Sequence, residues 1–193
     1  MSENKPTQDL SQEVTGQHSR IGITTKPVQE YTCTTHPDAQ WFPEAGLGLF
    51  ITWGISATEG EGDLSWSMMA RQPGFRADTG SRYGDQAVQK TYTPEAYWKL
   101  AEKFNPQKYD PNKWLAAAAK AGFKYAVLIT KHHDGYTLWP SQFGNFGTHT
   151  HMSGRDLVAD YVRACRDNGL KVGIYYSPPD WHFERDVLSF NYS

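Results

Sequence analysis

Cysteine is scarce: only Cys33 and Cys165 occur in 193 residues, and they lie far apart. No metal-ligand spacing is present, and a disulfide between the two is compatible with the sequence but not indicated by it. No apolar run reaches the roughly 18 residues that a membrane-spanning helix requires. The first twenty residues contain no apolar core, so they do not read as a signal peptide. Either the protein is cytosolic or its export signal lies outside this chain. Charge of one sign is also missing. The net charge is −2, and no basic stripe of the kind that tracks a phosphate backbone is visible, so nucleic acid is not an expected partner. The run GLGLFITWG has the first two glycines of a dinucleotide-binding fingerprint but lacks the third in place.

Aromatic residues are abundant, with seven Trp and eleven Tyr, enough for a core and for a ligand cleft with flat walls. The organising stretch is Lys124 to Trp139, KYAVLITKHHDGYTLW. Tyr125 to Thr130 form a nearly unbroken apolar, β-branched run, which suits a parallel strand covered on both faces. Lys131, His132, His133, Asp134 and Gly135 follow at once, where α/β folds keep binding and catalytic groups. Adjacent histidines alone are also compatible with an idle surface loop. Recurrence of the same pattern is what raises the functional reading.

Residues 1–30 are polar and patternless and read as a flexible or weakly packed lead-in, with a domain expected over 41–193 after a lead-in of 1–40. Gly46 to Gly54 reads as the first strand, ending in Thr52 and Trp53. Ile55 to Thr91 is a long irregular stretch holding Trp66, Met68, Met69 and Phe75, and its aromatic content points to a packed functional loop. Thr93-Pro94-Glu95 opens a helix that Asn105-Pro106 ends, and Asp110-Pro111 opens a second that Gly122 ends. Pro140 to Ser153 is expected as a loop. A third helix follows Ser153 or Gly154, with Asp156 in its first turn and Leu157, Val158, Tyr161, Val162 and Cys165 as its buried stripe. Gly169 closes it. The third strand, Lys171 to Ser177, again ends in a polar and aromatic group: Tyr176, Ser177, Asp180, Trp181 and His182.

This βα rhythm predicts a parallel sheet, and the three decorated strand ends favour a (β/α)8 barrel over a doubly wound sheet. A whole barrel needs roughly 250 residues, whereas about three βα units are visible. The expectation is therefore the N-terminal portion of a barrel, continuing beyond Ser193. A complete small α/β domain is the alternative.

The segments WFPEAGLGLFITWG (41–54), KWLAAAAKAGFKYAVLITKHHDGYTLWPS (113–141) and GRDLVADYVRACRDNGLKVGIYYSPPDW (154–181) resemble the family 29 glycoside hydrolases, the α-L-fucosidases. The resemblance implies a (β/α)8 catalytic barrel that removes terminal α-L-fucose with retention, using an Asp nucleophile and an acid/base carboxylic acid. It places His132 and His133 as hydrogen-bond partners of the sugar and Trp66 as a pocket wall. Either Tyr175 or Tyr176 corresponds to a pocket tyrosine, with Tyr136 and Trp139 as neighbours. The nucleophile and the acid/base are expected beyond Ser193, so no catalytic residue is assigned here. Two positions depart from the pattern: Thr52 stands where the family usually has His before Trp53-Gly54, and Ser65 stands where it often has Glu before Trp66. A hydrogen bond to a charged group is worth about 1.5–3 kcal/mol, so both departures bear on which sugar is held.

Read without the family, retaining hydrolysis needs two carboxyl groups about 5–5.5 Å apart. Asp134 and Asp180 are the acidic residues close after strand ends. Asp134 is expected to orient a histidine or cap the turn, and Asp180 to support its loop. A zinc site from His132, His133 and His182 is conceivable, but no spacing compels it, because neighbouring side chains on a strand point to opposite faces. Trp53, Trp66, Trp139 and Trp181 could stack on a sugar, with core packing the simpler reading of Trp53. The expected partner is a carbohydrate carrying terminal fucose or a similar sugar. No cofactor and no membrane are expected, and a homo-oligomer is left open. The alternatives are a glycosidase for another sugar, or a non-catalytic sugar-binding or inactive homologue.

Overall fold

A computed structural model describes residues 34–60, 65–69 and 92–186, without the side chains of Ser67 and Met69. The readings made above for 1–33, for most of the long stretch between the first strand and Thr93, and for 187–193 lie outside the described residues. The chain divides into two compact units, Met1–Trp41 and Phe42–Ser193. The described part of the first holds one 3-10 turn, Pro37–Ala39, whose start is capped by the His36 side chain accepting from the Asp38 N–H.

The second unit is built on three parallel strands in sequence order: β1 (Gly48–Ile51), β2 (Tyr125–Lys131) and β3 (Lys171–Tyr176). Gly48 to Ile51 pair with Tyr125 to Leu128, and Tyr125 to Ile129 pair with Lys171 to Tyr175. The register then slips, and Lys131 pairs with Tyr176. A Cβ on Gly48 would overlap the ring of Tyr125, which lies across the glycine from the neighbouring strand.

Among the described residues six α-helices accompany the strands: α1 (Trp66–Met69), α2 (Pro94–Trp98), α3 (Leu100–Lys103), α4 (Pro111–Lys120), α5 (Thr148–His151) and α6 (Leu157–Asp167). Thr93 caps α2 by accepting from the Ala96 N–H at 3.3 Å, and Asp110 caps α4 by accepting from the Lys113 N–H at 3.3 Å, with proline at the start of each. The helix expected after Thr93 is divided at Lys99, which keeps right-handed helical torsions and whose N–H reaches both Glu95 O and Tyr97 O. Asp156 lies outside α6 rather than in its first turn: its backbone is extended, and its carboxylate accepts from the Ala159 N–H at 2.8 Å. The loop expected over 140–153 contains α5.

Two hydrophobic clusters follow from this. On one face of the sheet, Ala126 and Leu128 of β2 pack with Leu115 of α4 and with Tyr161, Ala164 and Cys165 of α6. Cys165 is a buried free thiol. Each fully buried aliphatic side chain there contributes about 1.5–3 kcal/mol. The second cluster lies beyond the strand ends and joins Ile55, Met68, Tyr97, Phe104, Leu138, Leu157 and Trp181, among others. The candidate site sits on it. Among the described residues no helix is long and apolar enough to cross a membrane.

Candidate functional site

β2 runs one residue further than its apolar stretch, so Lys131 belongs to the strand and His132 to Gly135 form the turn. Lys131 is only 3% exposed. A buried ammonium must have all its protons engaged, and this one donates to Ser177 O and Pro179 O, both at 2.9 Å, with Asp180 Oδ2 at 3.5 Å. The Tyr176 ring lies 4.9 Å from the same nitrogen. The Trp181 N–H donates to His133 O at 2.8 Å. The loop after β3 is thus fastened to the end of β2 by a lysine whose role sequence reading did not identify. A cation closing an otherwise apolar strand was the available signal.

Asp134 is the anchor of the turn. Its carboxylate accepts from the Tyr97 hydroxyl at 3.0 Å and the Tyr136 N–H at 2.8 Å, while its backbone oxygen accepts from Trp98 Nε1 at 3.1 Å. Burial pushes its pKa up to about 6 against the hydrogen bonds it accepts from Tyr136 and Tyr97. Tyr97 in turn is held well above its ordinary value, by burial first and by Asp134 second. Gly135 has a φ of 88°, and a Cβ there would overlap the Asp180 carboxylate, so the tight turn demands glycine.

Because His132 and His133 lie in the turn rather than on the strand, their rings do not point to opposite faces. Their centroids are 4.4 Å apart. Trp66 stands edge-on to His133 at 5.1 Å and to Trp181 at 5.5 Å, and Trp181 lies tilted against His133 at 5.1 Å. Tyr175 is stacked beside His132 at 6.2 Å and 21°. Ser65, fully buried, is hydrogen-bonded to His132 Nδ1. Burial, then His133 and Lys131, lower the His132 pKa to about 4. Burial and Lys131 also lower that of His133. Both rings are therefore neutral near pH 7, each able to donate one hydrogen bond and accept one.

The structure brings Trp66, His132, His133 and Tyr175 together, with Ser65 and Trp181. Tyr176 faces elsewhere, toward Trp139 at 6.3 Å and Lys131. Trp53 stacks on Tyr109 at 4.9 Å and 6° and packs on Phe104, and Thr52 is exposed at the end of β1. His182 stacks on Phe146 at 4.0 Å and lies edge-on to Trp98. Among the described residues no group of three or more His, Cys, Asp or Glu is placed to hold a metal ion. What remains is a small, uncharged, aromatic-walled group of hydrogen-bonding rings, suited to an uncharged polar ligand with flat apolar faces.

The alpha-L-fucosidase family model matches residues 12–189. Mouse tissue alpha-L-fucosidase is 32% identical over 149 residues, which cover 76% of this chain and 32% of the mouse protein. The alpha-L-fucosidase of Dictyostelium discoideum is 29% identical over 153 residues, again 76% of this chain and 32% of its own length. Among solved structures, alpha-L-fucosidase isoenzyme 1 from Paenibacillus thiaminolyticus superposes with a TM-score of 0.59 at 36% identity, over 81% of this chain and 35% of that one. The Thermotoga maritima alpha-fucosidase complexed with a mechanism-based inhibitor gives a TM-score of 0.58 at 32% identity, over 75% of this chain and 36% of that one. The chain spans about a third of the length of the curated relatives it matches. Three parallel strands with flanking helices, in a sheet that does not close, are part of the (β/α)8 barrel of those enzymes. The chain belongs to the alpha-L-fucosidase family of glycoside hydrolases.

Proposed function

We propose that the end of β2 is the sugar pocket of a retaining exo-glycosidase acting on terminal α-L-fucosides. The neutral histidine pair inside the Trp66 and Trp181 walls is the observation that carries this reading. His132 and His133 hydrogen-bond sugar hydroxyls, Trp66 lies against an apolar edge of the ring, and Tyr175 borders the pocket beside His132. Thr52 and Trp53 reach the sugar less directly: Trp53 is stacked on Tyr109, and Thr52 lies at the rim of the β1 end.

Asp134 and Asp180 are not the catalytic pair. Asp134 holds the Tyr97 hydroxyl and the Tyr136 N–H, and Asp180 holds Lys131 and the Phe183 N–H. Neither is spare for attack or proton transfer. The two carboxyl groups that retention requires are supplied by residues other than these two.

A second reading, a glycosidase for a related sugar, is favoured by Ser65 and Thr52, which place short uncharged hydroxyls where the resemblance expects Glu and His. A panel of aryl glycosides offered to the full-length gene product separates the two. Release from the α-L-fucoside alone supports the first reading. Release from another glycoside with none from the fucoside overturns it.

A further inference from the structure

Ser65 is completely buried, and its hydroxyl has one hydrogen-bond partner among the described residues, Nδ1 of His132. We propose that Ser65 is a positioning residue that fixes the tautomer of His132: its hydroxyl donates to Nδ1, keeps the ring proton on Nε2, and so makes the Nε2–H the donor this ring offers to a ligand.

The direction of the bond follows from counting hydrogens. A serine hydroxyl carries one hydrogen and two lone pairs, and a neutral imidazole has one N–H and one bare nitrogen. If Nδ1 carried the proton and donated to the serine oxygen, the hydroxyl hydrogen would have no acceptor among the described residues, on a side chain that is fully buried. A buried donor without an acceptor is costly, whereas a hydroxyl oxygen that accepts nothing costs little. Donation from Ser65 to Nδ1 leaves no hydrogen stranded. A charged ring would carry protons on both nitrogens and strand the same hydroxyl hydrogen, and burial with Lys131 nearby already disfavours that charge. The hydrogen bond made at one nitrogen decides which tautomer the other nitrogen presents. Among the described residues Nε2 of His132 has no hydrogen-bond partner, whereas Nδ1 is taken by Ser65. Nε2 is the free end of the ring.

That this N–H meets a fucoside oxygen rests on the function proposed above, but the tautomer does not. The test is a long-range proton–nitrogen correlation spectrum of the 193-residue chain labelled with 15N-histidine. In such a spectrum Nε2 couples to both ring C–H protons and Nδ1 to one. The expected result for His132 is a protonated Nε2 and a bare Nδ1. Ser65→Ala should shift His132 toward a mixture of tautomers, and Ser65→Thr, which keeps the hydroxyl, should restore the original pattern. A protonated Nδ1 in the wild-type chain overturns the proposal, and so does a Ser65→Ala spectrum identical to wild type. If Ser65→Ala does not fold, the wild-type spectrum alone decides. Methyl α-L-fucoside is then titrated into the same samples. Binding weakened about tenfold in Ser65→Ala and recovered in Ser65→Thr supports the link to the sugar. A wild-type chain with the expected tautomer that ignores the fucoside overturns the functional reading while the positioning role of Ser65 stands.

Discussion

β2 and β3 are similar in sequence, each a short run of β-branched and aromatic residues leading into a polar end, yet they are buried very differently. Leu128 of β2 is 0% exposed, whereas Ile174 of β3, its partner in the ladder, is 54% exposed. Val172 and Tyr176 are exposed as well, and Phe50 is exposed on β1. β2 has a strand on each side and helices α4 and α6 across one face. Among the described residues β3 has a strand on one side only, and Ile174 and Tyr176 line a cleft of about 660 Å3 beside α6. Apolar content in a strand records what a fold covers when all its layers are present, and the layers present here cover the middle strand. The functional groups gather where burial is greatest. The lowered histidine pKa values, the engaged lysine and the raised aspartate pKa all depend on exclusion of water, which the end of β2 provides together with the buried Ser177 and Trp181 after β3.

The contrast is open to direct attack by mutation. Trp181→Ala, at the buried wall of the site, should cost about 3–5 kcal/mol in urea unfolding. Leu128→Ala belongs in the same class, at about 2–5 kcal/mol. Lys131→Met should cost about 3 kcal/mol by leaving two carbonyls and Asp180 without their cation. It should also speed amide exchange at Trp181, because the loop after β3 loses its fastening.

The pH dependence comes next in size. Asp134 has its folded pKa raised from 3.8 to about 6, so the stability it contributes is complete below 3.8 and is lost as pH rises toward 6. His132 has its folded pKa lowered from 6.5 to about 4, so its contribution is complete above 6.5 and is lost as pH falls toward 4. His133 and His182, also lowered, add to the His132 side. In the wild-type chain the two slopes oppose each other between these limits. Asp134→Asn removes one of them, and unfolding free energy should then rise with pH more steeply than in wild type, by up to about 1.4 kcal/mol per pH unit. A slope unchanged by the substitution would mean that the Asp134 carboxyl is not buried. The smallest effect is expected at the open edge: Ile174→Ala should change stability by less than about 0.5 kcal/mol. A loss comparable to that at Leu128 would erase the difference between the two strands.

Much of this arrangement was legible in the chain. The unbroken run before the histidines announced the buried central strand, and Thr93 and Asp110 before their prolines announced two helix starts. What escaped depends on contacts distant in sequence or on departures from regular geometry. Alternation along β3 could not choose between Tyr175 and Tyr176 without knowing that the register slips opposite Ile129 and Lys131. Period-two reasoning set the two histidine rings on opposite faces, whereas the strand had already ended and the turn brings them together. The hold of Tyr97 and Trp98 on Asp134 crosses more than thirty residues, and no local pattern encodes it. Trp66 was associated with the histidines only through the family resemblance, since nothing in its own surroundings points to β2.

The most direct test of the central claim, that the end of β2 is a fucoside pocket built on two neutral histidines, is a titration of the 15N-histidine-labelled chain with methyl α-L-fucoside at pH 7. The account predicts saturable shifts of the His132 and His133 ring signals and no comparable response to methyl α-D-glucoside. Unmoved signals for both rings, or equal responses to the two sugars, would contradict it.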